Sequence, residues 1–144
     1  MRTISTTDLA HRLRPVLTRL ARRMRQAASG DLSPTQGAAL ATIDCHGPLT
    51  PSELATRERI QRPTATRVIA RLEEMGLVDR TQDPIDRRSF VVALTPAGRA
   101  LLARVRTRKN AYLARRLRDL DADERATLDR AAAILERVLE EAGA

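Results

Sequence analysis

The chain has one lysine, Lys109, one cysteine, Cys45, no tryptophan, and only Tyr112 and Phe90 as aromatic side chains among its 144 residues. Each scarcity excludes something. A single cysteine rules out an internal disulfide framework and fits a reducing, cytoplasmic setting. Two aromatics leave no material for an aromatic-lined pocket, so any ligand cavity is expected to be aliphatic, with arginine available to meet an anion. Histidine is limited to His11 and His46. Cys45 and His46 are adjacent, so on a helix they point about 100° apart and form no nucleophile–base pair. No Cys/His cluster has metal-ligand spacing, and no glycine-rich phosphate loop is present. Neither catalysis nor a metal or other cofactor is expected. Apolar runs stay far below the roughly 18–20 residues that cross a membrane, so no membrane partner is expected. The N-terminus also lacks the apolar stretch of a secretory signal.

Arginine is what the chain has in excess. The net charge is +8 and the pI is near 11.3, which makes nucleic acid the first partner to consider. Arginine is always charged and makes planar, bidentate bonds to phosphate or guanine. Charge alone does not decide, because a genome that writes arginine wherever a surface wants a cation gives the same total. Its distribution is more telling. Residues 1–28 carry seven Arg against Asp8, and 99–118 carry eight Lys/Arg and no acid. Residues 119–144 hold eight acids against three Arg, whereas 57–88 has eight Arg and six acids. Most of the excess therefore lies outside the segment with the most informative pattern. There it either attracts a polyanion at long range or solvates helices.

Residues 5–28 place Leu9, Leu13, Val16, Leu17, Leu20, Met24 and Ala27 at helical spacing. Pro15 either kinks this helix or marks its true start. "SPTQ" (Ser33–Gln36), "TPSE" (Thr50–Glu53) and "TPAG" (Thr95–Gly98) each put Ser/Thr at an N-cap and Pro at the first helical position. The first two add Gln or Glu three residues on, the pattern of a capping box. Helices are thus predicted to start at 34, 51 and 96, with Gly47-Pro48 closing the first. A further helix enters at Pro63 and ends at Gly76, with Ala65, Val68, Ile69, Leu72 and Met75 on its apolar face. The alternating segments 77–81 and 89–94 read as a β-hairpin, with Phe90, Val92 and Leu94 on one side. Beyond Thr95 the chain is helical to about Leu117. It restarts at "DADE" (Asp121–Glu124), with Leu128, Ala131, Leu135, Val138 and Leu139 as its stripe. The middle elements make a helix-turn-helix with a β wing. The long outer helices carry more apolar surface than one small lobe covers, the signature of burial against a second copy.

The helix 62–75 has the pattern of a reader of DNA. At 100° per residue its apolar face centres near Val68 and Leu72. Pro63, Thr66, Arg67 and Ala70 point away from that face, and Thr64 and Arg71 flank it. Glu73 and Glu74 occupy the last turn, where they repel phosphate. A small, polar, cationic N-terminal half and an acidic far end suit entry into a major groove by the N-terminal end. Thr64 and Thr66 can bond phosphates or bases, Arg67 can take guanine O6 and N7, and the helix N-terminus favours phosphate. An ordinary surface helix with Arg71 paired to Glu74 is the bland alternative. Cys45 likewise has two readings: a small buried hydrophobe, which is the commoner case, or a thiol switch beside His46.

The stretch "TPSELATRERIQRPTATRVIARLEEMGLVDRTQDPIDRRSFVVALTPAG" resembles the winged helix-turn-helix core of the MarR family of bacterial transcriptional regulators. "SELA", "RPTATRVIARLEEMGLV" and "DPIDRRSFVVALTPAG" carry the resemblance, in that order and spacing. It implies a mainly α fold with a small β-hairpin: a winged helix-turn-helix head at 33–96 and an α-helical dimerisation region at 1–32 and 97–144. It further implies a homodimer that presents two heads to a pseudo-palindromic double-stranded operator. The helix set Arg62, Pro63, Thr64, Thr66, Arg67 and Arg71 is then DNA-facing. At the wing tip Arg88 enters the minor groove, Asp86 holds it, and Arg87 lies near a phosphate. The most natural role is a repressor, with release by a small anionic or phenolic ligand as a further expectation. One position departs from the family's pattern. The turn between the two helices often carries Gly, and here it is Glu58-Arg59. If that turn needs left-handed backbone, the side chain costs on the order of 1 kcal/mol. The competing function is a winged-helix module that binds an acidic protein, compatible with the modest charge of the head.

Overall fold

A computed structural model describes residues 2–28, 30 and 32–142, with the side chains of 141 and 142 outside the description. The elements follow the order α1 (Thr6–Ala27), α2 (Pro34–His46), α3 (Pro51–Glu58), α4 (Arg62–Glu74), β1 (Val78–Gln82), β2 (Phe90–Leu94), α5 (Pro96–Leu117) and α6 (Ala122–Ala142). Residues up to Lys109 form one compact unit, and those from Asn110 on form a second.

Local capping explains where most helices begin. Ser5 Oγ accepts from the Asp8 amide and starts α1, so the helix runs through Pro15 and does not begin there. Ser33 and Gln36 close a reciprocal capping box at α2. At α3 the Thr50 hydroxyl accepts from the Glu53 amide and donates to the Glu53 carboxylate, so the expected box is closed through side chains and not through the Thr50 amide. Asp121 and Glu124 form a second full box at α6. Helix α2 ends at Gly47, whose φ of 74° is open to glycine without penalty.

The core of the first unit gathers Leu40 and Ile43 of α2, Leu54 of α3, Ile69 and Leu72 of α4, Val78 of β1 and Val92 of β2, with Leu49 and Leu77 from the connections. The hairpin is antiparallel, with Val78 opposite Leu94 and Gln82 opposite Phe90. Leu49 adds a single bridge to Val92, donating 3.1 Å to its carbonyl and accepting 2.8 Å from its amide. Nothing in the sequence pattern marks this bridge, because one residue has no period.

Two junctions fix the head. Between α3 and α4, Arg59 adopts φ 54°, ψ 43°, the left-handed conformation that glycine would take without strain. Between β2 and α5, the Thr95 hydroxyl donates to the Gly76 carbonyl at 2.7 Å and accepts from the Gly98 amide at 3.0 Å. Gly98 packs so closely that a Cβ there would stand 2.1 Å from the Leu77 carbonyl oxygen. Within the same unit Arg106 of α5 pairs with Asp44 of α2 at 3.2 Å.

Candidate nucleic-acid interface

The orientation of α4 is set by three residues at i, i+4 and i+7. Ala65, Ile69 and Leu72 are fully buried, while Val68 and Ala70 are half-buried. The apolar face therefore centres on Ile69 and not on Val68, and Ala70 does not stand clear of the core as its helical angle suggested. The rest of the face is as expected: Arg62, Pro63, Thr66, Arg67 and Arg71 are exposed and Thr64 is half-buried. Gln61 precedes the helix without a side-chain capping bond, so the N-cap side chain leaves the first-turn amides free of a cap.

The polar side chains on this face rest on nearby partners. Arg62 Nη1 donates to Ser52 Oγ of α3 at 2.5 Å, which ties the two helices of the motif at their N-terminal ends. Arg67 Nη2 donates to Thr64 Oγ1 at 3.3 Å, and Thr66 Oγ1 donates to the Arg62 carbonyl at 3.0 Å. Arg71 pairs with Glu74 at 3.2 Å, as the bland reading of that pair expected. The other acid, Glu73, accepts from Arg80 Nε at 2.6 Å. Sequence reasoning missed both Ser52 and Arg80, because neither contact lies at helical or strand spacing. The bonds of Arg62, Thr66, Arg67 and Arg71 are solvated, and exposed contacts of this kind are worth about 0–1 kcal/mol, so a ligand phosphate or base can displace them.

The wing tip is ordered by its own hydrogen bonds. The Asp83 amide donates to the Ser89 carbonyl at 3.1 Å, and the Ser89 amide to the Asp86 carbonyl at 3.0 Å. Asp83 Oδ1 accepts from the Ile85 amide at 3.0 Å, and Gln82 Nε2 donates to the Arg87 carbonyl at 2.8 Å. One oxygen of Asp86 serves Arg88 twice. It accepts from the Arg88 amide at 3.1 Å and lies 3.7 Å from the guanidinium Nε. The Arg88 side chain is 96% exposed, and Ile85 of the same tip is 95% exposed.

Cys45 overturns its commoner reading: it is exposed, not a buried hydrophobe. The helical turn that points Ile43 into the core carries Cys45 away from it. His46 Nε2 lies 3.4 Å from Arg57 Nη1. Among the described residues no group of three or more His, Cys, Asp or Glu could hold a metal, and no helix is long and apolar enough to cross a membrane.

A two-helix motif whose second helix exposes a cationic N-terminal half, followed by a β-hairpin with a braced arginine, defines a winged helix-turn-helix. A sequence model of the MarR family matches residues 32–90. An uncharacterized HTH-type transcriptional regulator of Mycobacterium leprae is 37% identical over 138 residues, covering 95% of this chain and 96% of that protein. The multiple antibiotic resistance protein MarR of Salmonella typhimurium is 36% identical over 100 residues, 69% of each chain. The crystal structure of wild-type MarR in its apo form from E. coli superposes with a TM-score of 0.71 at 29% identity, covering 96% of this chain and 99% of that one. The chain belongs to the MarR family of DNA-binding transcriptional regulators.

Proposed function

We propose that the protein is a homodimeric, sequence-specific repressor that reads a pseudo-palindromic operator. The observation that carries this reading is the pairing of two exposed cationic elements on one head: the N-terminal half of α4 and the Asp86-braced Arg88 of the wing. Arg67, with Thr64 and Thr66, reads base edges in the major groove. Arg62, Arg71 and Arg87 meet phosphates, and Pro63 brings the helix start close to the backbone. Arg88 enters the narrow, electronegative minor groove. A tip already ordered by its own hydrogen bonds loses little freedom on entering.

The second copy is supported by α1 and α6. No residue of α1 is buried, and Leu9, Val16 and Leu17 stand exposed. In α6 the exposed residues include Leu128, Ile134, Val138 and Leu139. Burying such side chains is worth about 1.5–3 kcal/mol each, enough in sum to hold two chains together. A bound dimer that occupies a promoter blocks transcription from it. A small anionic ligand that releases the dimer completes the reading, and it is checked by adding benzoate to the binding assay. The residue range 33–96 serves as the DNA-binding domain, and 1–32 with 97–144 as the dimerisation region.

The test is a mobility shift on DNA selected by the protein itself. Arg67→Ala and Arg88→Ala are each expected to lose roughly 1–3 kcal/mol of operator binding without unfolding. Binding unaffected by both changes would sink the reading. Binding should also weaken steeply with added salt through counterion release, and no DNA binding at low salt would favour an acidic protein partner.

A further inference from the structure

The acids at the far end of α4 are not bare charges facing a polyanion. Glu74 is held by Arg71, and Glu73 Oε2 accepts from Arg80 Nε at 2.6 Å. Arg80 belongs to β1, and its guanidinium carbon lies 4.2 Å from the centroid of the Phe90 ring at the start of β2. Arg80 is opposite Val92, and Phe90 is opposite Gln82, so the stacking runs along a diagonal of the hairpin register. A planar cation can bond a carboxylate with its edge while stacking on a ring with its face. Arg80 makes both contacts at once, one to the last turn of α4 and one to the wing.

The wing has reason to need a brace. Strand β2 rests on the core through buried Val92, with Phe90 and Leu94 packed against it, but of β1 only Val78 is buried and every residue beyond it is exposed. A two-stranded ribbon whose outer strand buries so little surface is marginal alone and twists more than a broad sheet. Arg80, opposite the buried Val92, ties this exposed strand to the last turn of α4 and to Phe90 on the tip side of Val92.

We infer that Glu73, Arg80 and Phe90 form a strut that sets the spacing between α4 and the wing tip, which makes Arg80 a positioning residue for the entry of Arg88 into the minor groove. The inference rests on the reading above, in which α4 and the wing both meet DNA. It reverses the simple electrostatic expectation for Glu73. An acid near DNA that only repels phosphate should, when neutralised, tighten binding. An acid that anchors a strut should, when neutralised, weaken binding to the operator, because the wing must then be ordered during association.

The experiment measures operator affinity of the full chain by fluorescence anisotropy for Glu73→Gln, Arg80→Ala, Arg80→Lys, Arg88→Ala and the double variant Arg80→Ala/Arg88→Ala, with thermal melts to confirm folding. Glu73→Gln and Arg80→Ala are each expected to weaken binding roughly 3- to 10-fold, and Arg80→Lys, which keeps the charge and loses the planar stack, by less. Adding Arg80→Ala to Arg88→Ala should change affinity less than about 2-fold, since a wing without its groove-entering side chain has nothing left to place. Glu73→Gln binding as tightly as the parent, or tighter, overturns the strut. Full additivity of Arg80→Ala and Arg88→Ala also overturns it and marks Arg80 as a direct phosphate contact. If Arg80→Ala does not fold, Glu73→Gln and Arg80→Lys, both close in size to the native side chains, decide the matter. Operator binding unchanged by Arg88→Ala here and by Arg67→Ala in the mobility shift would instead remove the DNA site, and the strut with it.

Discussion

The reading head and helix α6 both carry aliphatic residues at helical spacing, and they use them in opposite ways. In the head, Leu40, Ile43, Leu54, Ile69 and Leu72 are packed out of reach of water, and the strands close the core with Val78 and Val92. In α6, Leu128, Ile134, Val138 and Leu139 lie open, Leu139 at 74%. The first arrangement is finished within one chain. The second leaves apolar side chains exposed on α6, and on the proposed reading a second copy covers them. Stability of the head should therefore be independent of concentration, whereas order in the terminal helices should follow dimer formation.

The same substitution in the two regions sharpens this contrast most. Leu54→Ala, at a site with no exposure, is expected to cost about 2–5 kcal/mol in urea unfolding, because it leaves a cavity in a closed core. Leu139→Ala should cost far less in that assay and should instead raise the dimer dissociation constant. Equal effects on unfolding at any protein concentration would break the comparison. Next in size, Gly98→Ala should destabilise the head by roughly 1–3 kcal/mol by pressing a methyl against the Leu77 carbonyl, read as a lower urea midpoint. Val138→Asp, aimed at the open stripe of α6, should leave the far-ultraviolet spectrum of the head largely intact while shifting sedimentation toward monomer. A variant still dimeric at micromolar concentration would place the interface elsewhere. The smallest effect is expected at Arg59→Gly. Relief of the left-handed backbone, about 1–2 kcal/mol, is offset by about 0.4–1 kcal/mol of added unfolded-state freedom. A net gain in stability of between about 0 and 1.6 kcal/mol should appear as a raised melting temperature.

Much of the fold was legible because its signals are local. Ser33, Thr50, Thr95 and Asp121 each accept from the amide three residues on, and that bond needs nothing beyond its own turn of chain. The hairpin was legible from alternation, and the bracing of Arg88 by Asp86 through the resemblance of the wing tip to the family's. The face of α4 was legible to within one position. The helix drifts 100° per residue, so pattern alone could not choose between Val68 and Ile69 as its centre. Cys45 was misplaced because burial depends on what surrounds a turn, and residue type is only a prior.

The sequence by itself determined the starts of α2, α3, α5 and α6, the hairpin, the family and the outward-facing arginines of α4 and the wing tip, because capping, periodicity and motif spacing act over a few residues. Tertiary structure alone decided that the α3–α4 turn takes left-handed backbone at Arg59, that Gly98 lies against Leu77, that Leu49 bridges Val92, and that Arg80 links Glu73 to Phe90. Each of these joins elements whose separation in space follows from how the core packs. That packing is a property of all the side chains together, and no short stretch of sequence contains it.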